Sequence, residues 1–151
     1  CRVDLDALDE VLIDIDALYG PHTSADTAVA LAAKVLDVYQ GPFMDGEAQA
    51  EFVTVRERVR NRVLGALDQL ARVCESAGAP QRALALFRRA IDQDPLAEAF
   101  HRRLMLMLRE LGRMAEAVEV YARCKSLLET AHAGAPSPET QAIYEAVKRD
   151  L

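Results

Sequence analysis

One residue pattern occurs twice between residues 78 and 124 and constrains the fold more than any other feature. Small residues return to small positions and aromatics to aromatic ones, 34 residues later. The pairs are Gly78 and Gly112, Ala83 and Ala117, Phe87 and Tyr121, and Ala90 and Cys124. A period of about this length is typical of helix-turn-helix repeats, in which one hairpin buries its apolar face by stacking on a neighbour. The pattern predicts an array of helical hairpins.

Elsewhere apolar residues recur every three or four positions, as in amphipathic helices. One helix is predicted over residues 4–19, a second after Thr23 or Ser24, and a long third from Glu47 to Ala77, with a bend near Gly65. Four more follow Gly78. No strand pattern occurs, so we predict an all-α fold of about seven helices in antiparallel hairpins.

Glycine and proline mark the predicted helix ends. Gly78 and Gly112 suit positions just beyond a helix, where a residue without Cβ adopts a left-handed conformation at little cost. Pro80 suits a first helical turn, and Pro95 breaks the helix before it. Ser137, followed by Pro138, is expected to cap the last helix.

The core prediction rests on the same periodicity. Phe87 and Tyr121 are expected to fill the gaps between closely approaching helices, and Leu111 is expected to face inward. His101 occupies a core-facing position and is interpreted as a structural histidine. The odd number of cysteines argues against a disulfide framework and a zinc site, so we interpret all three as small core residues. They are Cys1, Cys74 and Cys124.

Composition favours a soluble, cytoplasmic protein. The 151 residues suit one domain, and no apolar run approaches the roughly 18 residues of a membrane span. Net charge is −6, with the first 51 residues carrying eleven acidic and two basic side chains. A non-specific nucleic-acid binder would be basic overall, so direct DNA binding is not expected. The start at Cys1 favours a fragment of a longer protein.

No common catalytic signature is present, including phosphate-binding loops, dinucleotide fingerprints, HExxH and GxSxG. The histidines lack a second histidine at ligand spacing. The acidic residues between Asp4 and Asp16 are interrupted by apolar ones and lack the calcium-loop pattern. We therefore predict no enzyme activity, no cofactor and no metal.

Two groups of arginines are candidates for contact surfaces. The alternate arginines from Arg56 to Arg62 would fan around a helix and favour a solvated, salt-bridging surface. Arg88 and Arg89, with Arg102 and Arg103, form a second group, for which a partner contact is predicted.

The order Gly78, Ala83, Phe87, Ala90, Pro95 resembles a tetratricopeptide repeat, and the second copy has Glu129 at the proline position. The resemblance implies repeats at 64–97 and 98–131 in a right-handed array. On this register the groove-facing candidates are Asp68, Arg72, Arg102 and Arg109.

A longer string carries a more specific resemblance. It comprises residues 94–105, Gly112-Arg113, residues 115–117, Tyr121, residues 136–140 and Tyr144, with residues 3–8 and 39–43. This string resembles the bacterial transcriptional activator domain of antibiotic-regulatory-protein-type regulators, over nearly all of 1–151. Phe52 stands where that family often has Trp.

The resemblance implies a regulatory, protein-binding module that contacts RNA polymerase or a sister subunit, with homodimerisation a further expectation. In such regulators a winged-helix domain precedes the position of Cys1, so DNA would be bound only through that neighbour. Two alternatives stay open: a general tetratricopeptide scaffold for a peptide, and a module sensing a small effector between repeats. An enzyme is disfavoured, because the polar residues are distributed as on helix surfaces.

Overall fold

The computed structural model describes residues 9–10, 12–13, 24–39 and 50–151. Within these residues the protein is helical, without strands, which confirms the all-α prediction. The complete helices are α1 (Ala25–Val38), α2 (Ala50–Ser76), α3 (Pro80–Gln93), α4 (Glu98–Glu110), α5 (Met114–Thr130) and α6 (Pro138–Arg149). Residues 9–10 and 12–13 are also helical, and the rest of the helix predicted over 4–19 lies outside the described residues.

The chain divides into two compact units, residues 1–89 and 90–151, with the boundary inside α3. In the first unit, α1 packs against α2. Ser24 caps α1 by accepting a hydrogen bond of 3.2 Å from the Thr27 amide. Fully buried side chains of this unit include Ala28, Val35, Leu36, Val63, Leu67, Leu70, Cys74, Ala83 and Phe87. The prediction that Phe87 lies in the core is therefore confirmed.

In the second unit, α5 packs on α4, and α6 packs on both. Its buried residues include Phe100, Leu104, Met105, Leu108, Ala117, Cys124, Leu128 and Val147. One core prediction needs correction. Leu111 is 42% exposed, because α4 ends at Glu110 and the chain turns at Gly112. Tyr121 is half-buried and its ring stacks on a tyrosine of α6, so it fills a gap between two helices as predicted.

The predicted glycine ends of α2 and α4 are confirmed. Gly78 has φ +76° and Gly112 has φ +75°. After α2 the Ala79 amide donates to the Cys74 carbonyl at 2.9 Å, and after α4 the Arg113 amide donates to the Leu108 carbonyl at 2.8 Å. These bonds satisfy carbonyls that a helix end otherwise leaves unpaired. The repeated sequence thus has a repeated backbone conformation.

A third helix end uses the same conformation without glycine. His132 follows α5 with φ +55°, and the next amide, that of Ala133, donates to the Leu128 carbonyl at 2.8 Å. Left-handed conformations are uncommon for residues with a Cβ, although histidine tolerates them better than most. The left-handed conformation at His132 was not predicted, because that position lacks the glycine that signals it.

Candidate functional site

Four of the seven predicted partner-binding residues lie in the first unit. Asp68 and Arg72 lie one turn apart on α2, with Asp68 half-buried and Arg72 exposed. Arg88 and Arg89 are exposed neighbours on α3. The Arg89 Nη2 atom donates a hydrogen bond of 2.9 Å to Oδ1 of Asp37 on α1.

The other three predicted residues, Arg102, Arg103 and Arg109, lie on α4 and are half-buried. Two of them contact α6 or the residue that follows it. Arg102 Nη1 donates to the Thr140 hydroxyl at 3.2 Å, and its Nη2 lies 3.7 Å from Oε2 of Glu139. Near the other end of the same helices, Arg109 Nε donates to Oδ2 of Asp150 at 2.6 Å. These two arginines connect α4 to the α6 region.

One carboxylate of α4 binds the start of α6. Glu98, in the first turn of α4, accepts hydrogen bonds of 2.8 Å from the Ser137 amide and from the Thr140 hydroxyl. Ser137 in turn caps α6, accepting a bond of 3.4 Å from the Thr140 amide, as its position before Pro138 predicted. Glu98, Arg102, Ser137 and Thr140 therefore form one polar cluster. All four stand in the string that carries the family resemblance, but their mutual contacts could not be derived from the sequence.

An aromatic pair joins α5 to α6. The rings of Tyr121 and Tyr144 stack with centroids 3.9 Å apart and planes 6° from parallel. The Lys148 Nζ lies 4.8 Å from the Tyr144 ring centroid, within the range of a cation–π interaction. Burial is the largest cause that raises the pKa of Tyr121, followed by its neighbour Tyr144. The pair is a structural contact between helices.

His101 is 1% exposed, which confirms its predicted core position. Its Nε2 lies 2.8 Å from the Pro95 carbonyl, and since a carbonyl can only accept, Nε2 carries the proton. Nδ1 is buried without a hydrogen-bond partner. Burial is the main cause that lowers the pKa of His101, because the charged ring would lose its solvation. This geometry fits a neutral histidine that secures the turn before α4.

The cysteines of the described residues, Cys74 and Cys124, are buried and free, as predicted, and Cys1 lies outside them. Burial raises the pKa of both thiols, that of Cys124 to about 11. In the described part of the chain no group of three or more His, Cys, Asp or Glu side chains is placed to hold a metal ion.

A feature that the sequence did not reveal is an apolar groove in the first unit, between α1 and α3. It is lined by Val29, Ala33, Leu36, Arg82, Ala85, Leu86 and Arg89. Periodicity identifies which residues face a neighbouring helix, but the width of a gap depends on how closely the two helices approach.

A comparison with known protein families identifies the family of this chain. The model of the family described as "bacterial transcriptional activator domain" matches residues 17–148, most of the chain. The chain belongs to this family. The activator domain matches no curated protein and no solved structure. The family is one of transcription regulators and not an enzyme family. Among the described residues of the activator domain, no helix combines the length and the apolarity needed to cross a membrane.

Proposed function

We propose that this activator domain is a protein-interaction module that contacts RNA polymerase or a sister subunit, while a separate domain binds promoter DNA. The observation that carries the proposal is the family match over residues 17–148. The proposal places the domain in the bacterial cytoplasm, where transcription occurs. The proposed role requires no catalysis, no cofactor and no metal.

We assign the partner contact to Arg72 on α2 and Arg88 on α3, two of the three exposed members of the predicted set; Arg89 is the third. Arginine suits such a contact because its planar guanidinium binds carboxylates through two parallel hydrogen bonds. An acidic surface is the matching partner chemistry. Arg102 and Arg109 have a different role in this scheme, because they contact acceptors on α6 and on Asp150, the residue that follows it.

We also propose that the hairpins form a right-handed array of tetratricopeptide type. The support is the pair of equivalent glycine ends, at Gly78 and Gly112, which are 34 residues apart and have φ values within 1° of each other. An array of this type presents an extended binding surface.

The test measures binding of the full 151-residue chain to purified bacterial RNA polymerase holoenzyme by biolayer interferometry. We expect saturable binding that weakens about tenfold or more in the Arg72→Glu, Arg88→Glu double variant. The matched control is Arg58→Glu, Arg149→Glu, which changes the same charge at two other exposed arginines. Circular dichroism should report the same helicity for all three proteins.

Two further measurements test whether the partner is a second subunit or DNA instead of RNA polymerase. Sedimentation velocity should detect dimers if the partner is a second copy of the subunit, and the double variant should then lower the dimer fraction. Fluorescence anisotropy with duplex DNA at about 0.15 M salt should show no binding. Absence of both polymerase binding and self-association, or equal weakening by the control, would overturn the proposal.

A further inference from the structure

The groove between α1 and α3 has a volume of about 300 Å³. Leu36 and Leu86 form its most buried walls, at 0% and 5% exposure. Ala33 and Ala85 line it with single methyl groups, one from each helix, which leaves the space between them open. Small-molecule sites have volumes of roughly 300–1,000 Å³ and are mostly apolar, with a few polar groups that orient the ligand. The groove is at the small end of that range.

The charged residues that line the groove are Arg82 and Arg89, both on α3. Seven residues along a helix correspond to about 10 Å, so the two cations stand at different ends of the apolar surface. Each is paired with an aspartate of α1: Arg82 with Asp26, and Arg89 with Asp37. A carboxylate can therefore reach each guanidinium at the rim of the groove.

A ligand carboxylate can replace the aspartate in each of these ion pairs. The arginine side chains are about half exposed and the aspartates more so. Ion pairs in such positions contribute little net stability, because water and salt screen them. A ligand carboxylate that also buries an apolar body has an added free energy that the aspartates lack, since their side chains lie outside the groove lining.

We propose that this groove binds a small amphipathic carboxylate. Its apolar body would contact Ala33, Leu36, Ala85 and Leu86, and its carboxylate would replace Asp26 at Arg82 or Asp37 at Arg89. A partner helix is the less suitable occupant, because stable protein interfaces bury roughly 800 Å² on each side and the groove is lined by seven residues. The site would make the activator domain responsive to a small effector, independently of which protein it contacts.

The probe is octanoate, added to the full 151-residue chain and followed by two-dimensional amide NMR and calorimetry. We expect saturable binding with shifts concentrated at the amides of Ala33 and Ala85. Octan-1-ol has the same chain length without the charge, and its affinity should be lower by a factor of about five or more. If the alcohol binds equally well, the carboxylate assignment is wrong.

Two variants locate the site. Ala85→Leu should abolish binding by filling the groove, and it should fold, because Ala85 is exposed and leucine is a good helix former. The Arg82→Gln, Arg89→Gln double variant should bind octanoate no better than octan-1-ol. Arg58→Gln, Arg149→Gln, which removes two arginines outside the groove lining, should bind as the wild type does.

The other outcomes overturn the proposal. Octanoate binding that survives Ala85→Leu would place the ligand elsewhere. Absence of saturable binding by butanoate, octanoate, dodecanoate and 3-phenylpropanoate would exclude the ligand class. If these acids fail and Ala85→Leu instead weakens polymerase binding, the groove is a protein contact. Because the polymerase assay contains no carboxylate ligand, failure of this inference leaves the proposed function unaffected.

Discussion

The Oε1 atom of Glu98 lies 2.8 Å from the hydroxyl of Thr140, 42 residues away, and accepts its hydrogen bond. The same oxygen accepts the amide of Ser137 at 2.8 Å, so one carboxylate on α4 fixes the start of α6. Arg109 and Asp150 join the same helices near their other ends. The last helix is therefore held by polar contacts at two points, in addition to its buried Val147.

We expect Glu98→Ala to destabilise the domain by about 1–3 kcal/mol, because the Ser137 amide and Thr140 hydroxyl would lose their shared acceptor in a half-buried site. Urea unfolding followed by circular dichroism measures the change. Glu119→Ala is the control, since Glu119 is exposed on α5. Equal stabilities of the two variants would show that the Glu98 contacts contribute nothing net.

We expect Gly78→Ala and Gly112→Ala each to cost about 1–2 kcal/mol. A Cβ at either position meets no atom within 4 Å, so the cost is the left-handed conformation itself. Gly65→Ala is the matched control, because Gly65 is inside α2, its added Cβ also meets nothing, and alanine should stabilise a helix interior by about 0.5–1 kcal/mol. Thermal unfolding should show a lower Tm for Gly78→Ala and Gly112→Ala and a higher Tm for Gly65→Ala.

His132→Gly should have the opposite effect to the substitutions at Gly78 and Gly112. His132 is exposed and adopts φ +55°, so glycine should relieve conformational strain there. We expect an unchanged or higher free energy of unfolding, by up to about 1 kcal/mol. A clear loss of stability would mean that the imidazole makes a stabilising contact of its own.

The Tyr121–Tyr144 stack should give a measurable coupling energy. Single and double alanine variants form a double-mutant cycle, for which we expect about 0.5–1.5 kcal/mol of coupling in the free energy of unfolding. Tyr121→Phe and Tyr144→Phe retain the rings and should have stabilities close to that of the wild type. A coupling energy near zero would contradict an energetic role for the stack.

Protonation of His101 should destabilise the fold. Its pKa is lowered below the ordinary 6.5 by burial, so near and below that pH the unfolded chain binds more protons at this position than the folded one. The resulting stability is fully present above about pH 6.5 and is lost as the pH falls through the lower, folded-state pKa. Urea unfolding from pH 8 to pH 5 should show a steeper loss for the wild type than for His101→Gln.

The matched control for this prediction is His132→Gln, which should keep the steeper loss because His101 is still present. A direct check is an NMR titration of the imidazole resonances of the folded protein. Protonation of His101 at or above pH 6.5 would contradict the assignment of a neutral, buried ring.

Local features of this protein followed from the sequence because they depend on neighbours along the chain. The 34-residue repeat predicted matching turns at Gly78 and Gly112, since the left-handed conformation is a property of single residues. Ser137 before Pro138 predicted a cap, and helical periodicity placed Phe87 and His101 in the core. The residue string from Asp94 to Tyr144 also identified the family that the match over residues 17–148 established.

Other features were decided only by the tertiary structure, because they depend on distances between residues far apart in sequence. Periodicity could not predict that Arg102 binds Thr140, or that Arg109 binds Asp150, since a cation on a helix surface has many potential partners. Leu111 has an apolar side chain in an apparently inward register, yet it lies exposed where the chain turns. The groove beside Ala33 and Ala85 lies between two helices that are far apart in the sequence, and the spacing of helices is set by the side chains of both.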